Sequence, residues 1–176
     1  RSNFSFLTAA SHPEELVARA RDLGYRALAL TDDCSLAGVV RAHGEAKVHG
    51  LDLIVGSELG LADGIRLVVL AMDRGGYGNL SRLISLARRR SPKGRYRLER
   101  ADLQAGLDGC LALWLAGGDA EVEDGRWLAA HLSGRVWLGV ELHRCGGDAS
   151  TLARLRRLGA ECGLPLVAAG GVLMHR

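Results

Sequence analysis

Apolar positions along this chain change repeatedly between helical and strand-like spacing. After Ser11-His12-Pro13-Glu14, apolar residues recur on one helical face up to Gly24, which predicts a helix with Ser11 as its cap. The next segment, Ala27 to Leu30, is a short apolar run that leads into the acidic turn Thr31-Asp32-Asp33. The predicted order is therefore helix, strand and polar loop.

The same unit recurs to the end of the chain. Further strands are predicted at 53–55, 65–71, 110–115, 136–140 and 166–169, and further helices at 36–48, 77–88, 121–132 and 151–162. Alternation at roughly 20–30 residue intervals predicts parallel strands joined by helical crossovers. Two α/β architectures fit this pattern, a barrel and a doubly wound sheet.

Acidic residues follow several of the predicted strands. Asp32, Glu58 and Glu141 each stand at or just after a strand end. In both architectures the carboxyl ends of parallel strands share one face, where binding and catalytic groups collect. Acids at such positions can also cap the following helix, so the pattern alone leaves a site and a set of caps open.

Length and composition indicate one globular domain over residues 1–176. The chain is 48% hydrophobic, and no apolar stretch approaches the roughly 18–20 residues that span a bilayer. The N-terminus lacks the layout of a signal peptide, so a cytoplasmic location and no membrane partner are expected. The opening on Arg1-Ser2-Asn3 suggests a piece of a longer chain.

Charge is unevenly distributed. Residues 88–100 carry seven basic side chains against the single acid Glu99, a local charge of +6. Ser91, Pro92 and Gly94 break helices, so this tract is expected on an exposed loop. Such a loop could contact DNA phosphates, with Tyr96 as a stacking residue, or could simply be solvated. The candidate contacts are Arg88, Arg89, Arg90, Lys93, Arg95, Arg97 and Arg100.

Several blocks of sequence, in order, resemble the PHP domain of bacterial family-C DNA polymerases, the DNA polymerase III alpha subunit family. The blocks are Ser2–Leu7, Ser11–Leu16, Ala29–Val39, Val55–Glu58, Leu67–Ala71, Gly76–Leu80 and Leu164–Val172. The amino-acid sequences of these blocks are more similar to the error-prone branch of the family, which serves translesion synthesis and damage-induced mutagenesis. The resemblance implies a distorted (βα)7 TIM-like barrel, here without its first strand.

The resemblance also implies a site at the barrel mouth. In metal-binding PHP domains, histidines and carboxylates at the strand ends hold up to three divalent ions for phosphoester hydrolysis. Asp32 and Glu58 match ligand acids of that set. Five other matching positions carry residues that are not the family ligands: Arg1, Asp33, Arg66, Gly171 and Leu173.

These substitutions predict that no metal is bound. Leucine and glycine offer no ligand, and a fixed arginine charge repels a cation. Asp32 and Glu58 could instead form salt bridges with Arg1 or Arg66. His143, two residues after Glu141, is the one stray histidine near a strand end that could act as a ligand.

The resemblance favours a degenerate, metal-free, non-catalytic module of an error-prone DNA polymerase. It implies no cofactor in this chain, with Mg²⁺ bound by carboxylates in the polymerase domain of the parent protein. Implied partners are the remainder of the polymerase chain, DNA, and other replication or mutagenesis proteins such as a proofreading exonuclease. The alternatives are a metal-dependent phosphoesterase like histidinol phosphatase and a nucleic-acid-binding module that uses the basic tract.

Overall fold

A computed structural model describes residues 1–104 and 107–175. Within these residues the chain forms six strands and six helices. In chain order they are α1 (Pro13–Asp22), β1 (Ala27–Asp33), α2 (Val39–His49), β2 (Asp52–Gly60), β3 (Arg66–Ala71), α3 (Arg74–Arg89), α4 (Arg100–Gln104), β4 (Cys110–Trp114), α5 (Val122–His131), β5 (Val136–Glu141), α6 (Asp148–Cys162) and β6 (Leu166–Ala169).

All six strands belong to one curled sheet in sequential order from β1 to β6. The sheet forms a half-barrel, and its strands are those predicted from the apolar runs. The pairs β1–β2, β4–β5 and β5–β6 are parallel. Of the two α/β architectures that the pattern left open, this is the TIM-like one that the family resemblance implied.

The expectation of uniformly parallel strands is wrong for β3, which pairs antiparallel with both β2 and β4. Residues 61–65 join β2 to β3 as a tight hairpin, closed by the Leu61 amide donating to the Ile65 carbonyl at 2.8 Å. Five residues are too few for a helical crossover, which needs a dozen or more. The start of β3 therefore lies beside the end of β2.

Two apolar clusters hold the helices against the sheet. The larger one lies between β3–β5 and helices α3, α5 and α6, and contains the fully buried Trp114, Leu67, Leu80 and Leu138. A smaller cluster packs α1 and α2 against β1 through Val17 and neighbouring residues. Together the two clusters hold the strands, and therefore the strand ends, in position.

The first helix begins one residue later than the sequence suggested. His12, not Ser11, is its N-cap, and the His12 amide donates to Glu15 Oε2 at 2.7 Å. Ser11 is buried and its hydroxyl is bonded to His175 at 2.7 Å. Over the described part of the chain, no helix combines the length and apolar character that a bilayer crossing requires.

Candidate functional site

The strand ends meet at one mouth of the half-barrel. The register of β1 and β2 sets Asp33 beside Glu58, and the β2–β3 pairing sets Arg66 beside Gly60. Beneath this mouth lies a cavity of about 400 Å³ on the concave side of the sheet. Its walls are mainly apolar, and Arg1, Glu58 and Glu141 are among its charged lining residues.

Glu58 is held between two guanidinium groups. Oε2 accepts from Arg1 Nε at 2.8 Å, and Arg1 Nη2 pairs with the same oxygen. Oε1 accepts from Arg66 Nη2 at 2.5 Å and from Arg66 Nε at 3.2 Å. The hydrogen bond from Arg66 to Glu58 raises the pKa of that guanidinium. The salt bridges considered from the sequence are therefore present at Glu58.

Asp32 has different partners. It is 1% exposed, and its carboxylate accepts from the Ser2 amide at 2.6 Å, the Ser2 hydroxyl at 2.8 Å and the Ser5 hydroxyl at 2.8 Å. No arginine pairs with it among residues 1–104 and 107–175. Three donors around one carboxylate satisfy it without a cation.

Asp33 turns away from the mouth toward Tyr96. The Tyr96 hydroxyl donates to Asp33 Oδ1 at 2.8 Å and accepts from the Gly60 amide at 3.0 Å. Burial raises the pKa of Tyr96, and the hydrogen bond to Asp33 acts in the same direction. Tyr96 is thus a bridge between the ends of β1 and β2 rather than a free stacking residue.

Arg88 completes this bridge. Its guanidinium donates to the carbonyls of Asp33 and Cys34, at 3.0 Å and 3.2 Å, and lies 5.1 Å from the centre of the Tyr96 ring. Cys34 has a left-handed φ of 45°, which sharpens the turn after β1. The structure therefore gives Arg88 a role inside the fold that sequence reasoning missed.

Gly171 and Leu173 follow β6, where the family resemblance expects ligands. Gly171 has a φ of 56°, and a Cβ there would stand 2.6 Å from Glu141 Oε1. Leu173 is 43% exposed, and its carbonyl accepts from the Ala10 amide. His143 lies on the exposed loop after β5, where its backbone amide is bonded to Asp148.

These side chains do not fit a divalent ion. The Glu58 oxygens are taken by two fixed cations, and the Asp32 oxygens by serine hydroxyls and an amide. Gly171 contributes no ligand atom, and Leu173 offers only an apolar side chain. Throughout 1–104 and 107–175, no three His, Cys, Asp or Glu side chains lie close enough together to hold an ion. The donor set at this mouth is that of an ion-pair network.

The basic tract is in part the exposed loop expected for it, because residues 90–99 lie between α3 and α4 and carry the exposed Arg90, Lys93, Arg95 and Arg97. Arg88 and Arg89 belong to α3, and Arg100 begins α4. Four of its seven cations are engaged within the chain: Arg88 on the carbonyls above, Arg90 on Asp102, Arg97 on Glu99, and Arg100 on Asp63 and Asp124. DNA contact by this tract stays a prediction, and four of the seven side chains proposed for it already have partners within the chain.

Comparison with known proteins identifies the family to which this chain is similar. A model of the PHP domain matches residues 1–135. Proteins named error-prone DNA polymerase are 59% identical in Dechloromonas aromatica, 58% in Methylococcus capsulatus and 53% in Pseudomonas aeruginosa, each over 99% of this chain. The chain spans 17% of the length of each of these relatives.

Solved structures support the fold. A candidate metal-dependent phosphoesterase from Bifidobacterium adolescentis superposes with a TM-score of 0.65 at 17% identity, over 96% of this chain and 84% of its own. An amidohydrolase from Chromobacterium violaceum, with bound sulfate and no metal, gives 0.63 at 15% identity, over 97% and 84%. With three quarters of its length matched by the family model, the chain belongs to the PHP domain family.

Proposed function

We propose that this chain is a metal-free, non-catalytic PHP module of an error-prone DNA polymerase. The observation that carries the proposal is the position of Glu58 between Arg1 and Arg66. Two fixed positive charges occupy both oxygens of the acid that the resemblance identifies as a metal ligand. A divalent ion would have to displace both guanidinium groups and overcome their repulsion.

In this proposal the network has a mechanical role. Arg1 belongs to the N-terminal loop, Glu58 to β2 and Arg66 to β3, so the three side chains tie three segments together at the mouth. In a metal-binding relative an ion would link the same strand ends. The arginines supply the link here without any ligand, and the domain serves as a brace for the rest of the polymerase.

Nucleotidyl transfer would belong to the remainder of the parent chain. The chain accounts for 17% of the length of its polymerase relatives, which leaves most of such a protein outside it. DNA synthesis there would require Mg²⁺ held by carboxylates, and DNA and the remainder of the chain would be the main partners. The relatives named error-prone DNA polymerase support this assignment.

Metal analysis of the full-length protein tests the proposal. Protein incubated with Zn²⁺ or Mn²⁺ and then desalted should contain no zinc or manganese that depends on Asp32 or Glu58. The wild type should match Asp32→Ala and Glu58→Gln in metal content. A stoichiometric ion in the wild type that either variant loses would overturn the metal-free site.

An activity assay tests the non-catalytic part separately. With added Mn²⁺, the protein should not hydrolyse a chromogenic phosphate monoester, because no metal-bound hydroxide can form at this mouth. Nuclease activity on a labelled single strand should be the same in the wild type and in Asp32→Ala. Hydrolysis that Asp32→Ala abolishes would show that the site is an active phosphoesterase.

A further inference from the structure

The exposed face of α3 carries a row of positive charge. The helix contains four arginines and no Asp or Glu between Arg74 and Arg89. Arg74, Arg82 and Arg89 are exposed and are spaced by eight and seven residues, which places them along one side of the helix. The opposite side, including Leu80 and Leu83, is buried in the core.

The turn after α3 extends this row. Residues 92–95 form a turn in which the Arg95 amide donates to the Pro92 carbonyl at 3.0 Å, with Gly94 at a φ of 86°. Lys93 and Arg95 are exposed on this turn, just beyond the last helical residue. An open groove of about 630 Å³ borders the turn and has Arg95 on its wall. We call Arg74, Arg82, Arg89, Lys93 and Arg95 the basic ridge.

The basic ridge is distinguished from its neighbours by its lack of acidic partners. Arg90, Arg97 and Arg100 each pair with a carboxylate. None of the five ridge residues forms an ion pair in the part of the chain that the structure describes, and Arg82 contacts only the neutral side chain of Asn79, at 3.2 Å. The ridge charges are therefore free to act on a ligand.

The shape of the ridge favours an extended polyanion. Its helical part, from Arg74 to Arg89, is about 22 Å long at 1.5 Å per residue. That length corresponds to about six base steps of a nucleic acid at 3.4 Å per step. Tyr77, 43% exposed, adds an aromatic surface on the same helix. A membrane-binding helix would instead need a free apolar face, and the apolar face of α3 is buried.

We propose that the basic ridge binds the phosphate backbone of a nucleic acid strand, independently of whether the mouth of the half-barrel binds metal. Each arginine or lysine that contacts a phosphate releases condensed counterions, so the affinity must fall as salt rises. The ridge makes no contact with base edges in this proposal. Binding through it should therefore be insensitive to base sequence.

Salt-dependent binding by the full-length protein tests the ridge. The variant Arg82→Gln/Arg89→Gln removes two ridge charges, and Arg156→Gln/Arg157→Gln removes two exposed charges from α6 as the matched control. Fluorescence anisotropy would measure affinity for a labelled single strand and a labelled duplex between about 50 and 200 mM salt.

The ridge variant should reduce the slope of log affinity against log salt by about 1.4 for a single strand or 1.8 for a duplex. The control should leave the slope unchanged, and unfolding curves should show that both variants are folded. An unchanged slope in the folded ridge variant would overturn the proposal, because the ridge charges would then contact no phosphate. An equal reduction in both variants would also overturn it, because the effect would then be one of net charge.

Discussion

Arg66 reaches Glu58 diagonally across the β2–β3 hairpin. The register pairs Glu58 with Val68 and Arg66 with Gly60, yet Arg66 Nη2 lies 2.5 Å from Glu58 Oε1. Residues displaced by two positions on antiparallel strands remain within reach of long side chains. Because β3 runs antiparallel, its first residue projects toward the acid at the end of β2.

Replacing Arg66 with methionine should lower the free energy of unfolding by about 1–3 kcal/mol, because one oxygen of a nearly buried carboxylate would lose its partner. Urea unfolding measures the change. Arg97→Met is the matched control, since the Arg97–Glu99 pair is exposed on both sides and should contribute about 0–1 kcal/mol. Equal losses of unfolding free energy from the two substitutions would show that the Arg66–Glu58 pair stabilises the fold no more than an exposed ion pair does.

A side chain added at Gly171, after β6, should lower the stability of the fold. Gly171→Ala should cost about 1–3 kcal/mol, because the residue has a left-handed φ and its new Cβ would meet Glu141. Gly170→Ala is the control, since it lacks the left-handed φ and its nearest contact would be 3.4 Å from Val172 Cγ2. Adding Glu141→Ala to Gly171→Ala should recover part of the loss in thermal unfolding, and no recovery would contradict the proposed clash.

Two adjacent arginines at the end of α3 should behave differently. Arg88→Ala should destabilise the fold by about 1–3 kcal/mol, because two carbonyls would lose a charged donor. Arg89→Ala should change stability by less than about 0.5 kcal/mol, since its side chain is exposed and unpaired among the described residues. Chemical denaturation of both variants decides between this view and that of a solvated tract, in which the two would be equivalent.

Alkaline conditions should destabilise the turn after β1. Burial raises the pKa of the Cys34 thiol from 9.0 to about 11, and burial also raises the pKa of Tyr96. The folded state therefore holds the Cys34 proton more tightly than the unfolded state does. Its contribution is fully present below pH 9 and is lost as pH rises through 11.

Unfolding free energies measured across this pH range test the assignment. Cys34→Ala should show a shallower decline than the wild type, while Cys145→Ala should follow the wild type because Cys145 is exposed. A decline that is identical in all three proteins would mean that the Cys34 thiol is not responsible.

Much of the sheet could be predicted because each strand is an apolar run bounded by polar or glycine residues. The direction of β3 was missed, although Asp63-Gly64 is a recognised hairpin signal between two apolar runs. Side-chain alternation is the same for a strand read in either direction, so periodicity alone could not reveal it. The direction of β3 could have been predicted only from the turn residues between β2 and β3.

The candidate site was predictable only in part. The shared location of Asp32 and Glu58 could be predicted because both stand at the ends of strands. The arginines that pair with Glu58 could be predicted from the family resemblance. The serine partners of Asp32 could not be predicted, because Ser2 and Ser5 lie 30 and 27 residues away along the chain. Pairing of Arg90 with Asp102 likewise depends on how the tract turns back on itself.

The two-sided pairing of Glu58 also limits how this arrangement can change over evolutionary time. Exchanging Arg66 for histidine would free Oε1 but leave Arg1 on Oε2, and exchanging Arg1 would leave Arg66 in place. Each single exchange removes an ion pair from a nearly buried acid before a usable set of ligands exists. A cation-binding mouth would therefore need several coordinated substitutions, and the first of them would break an ion pair of Glu58.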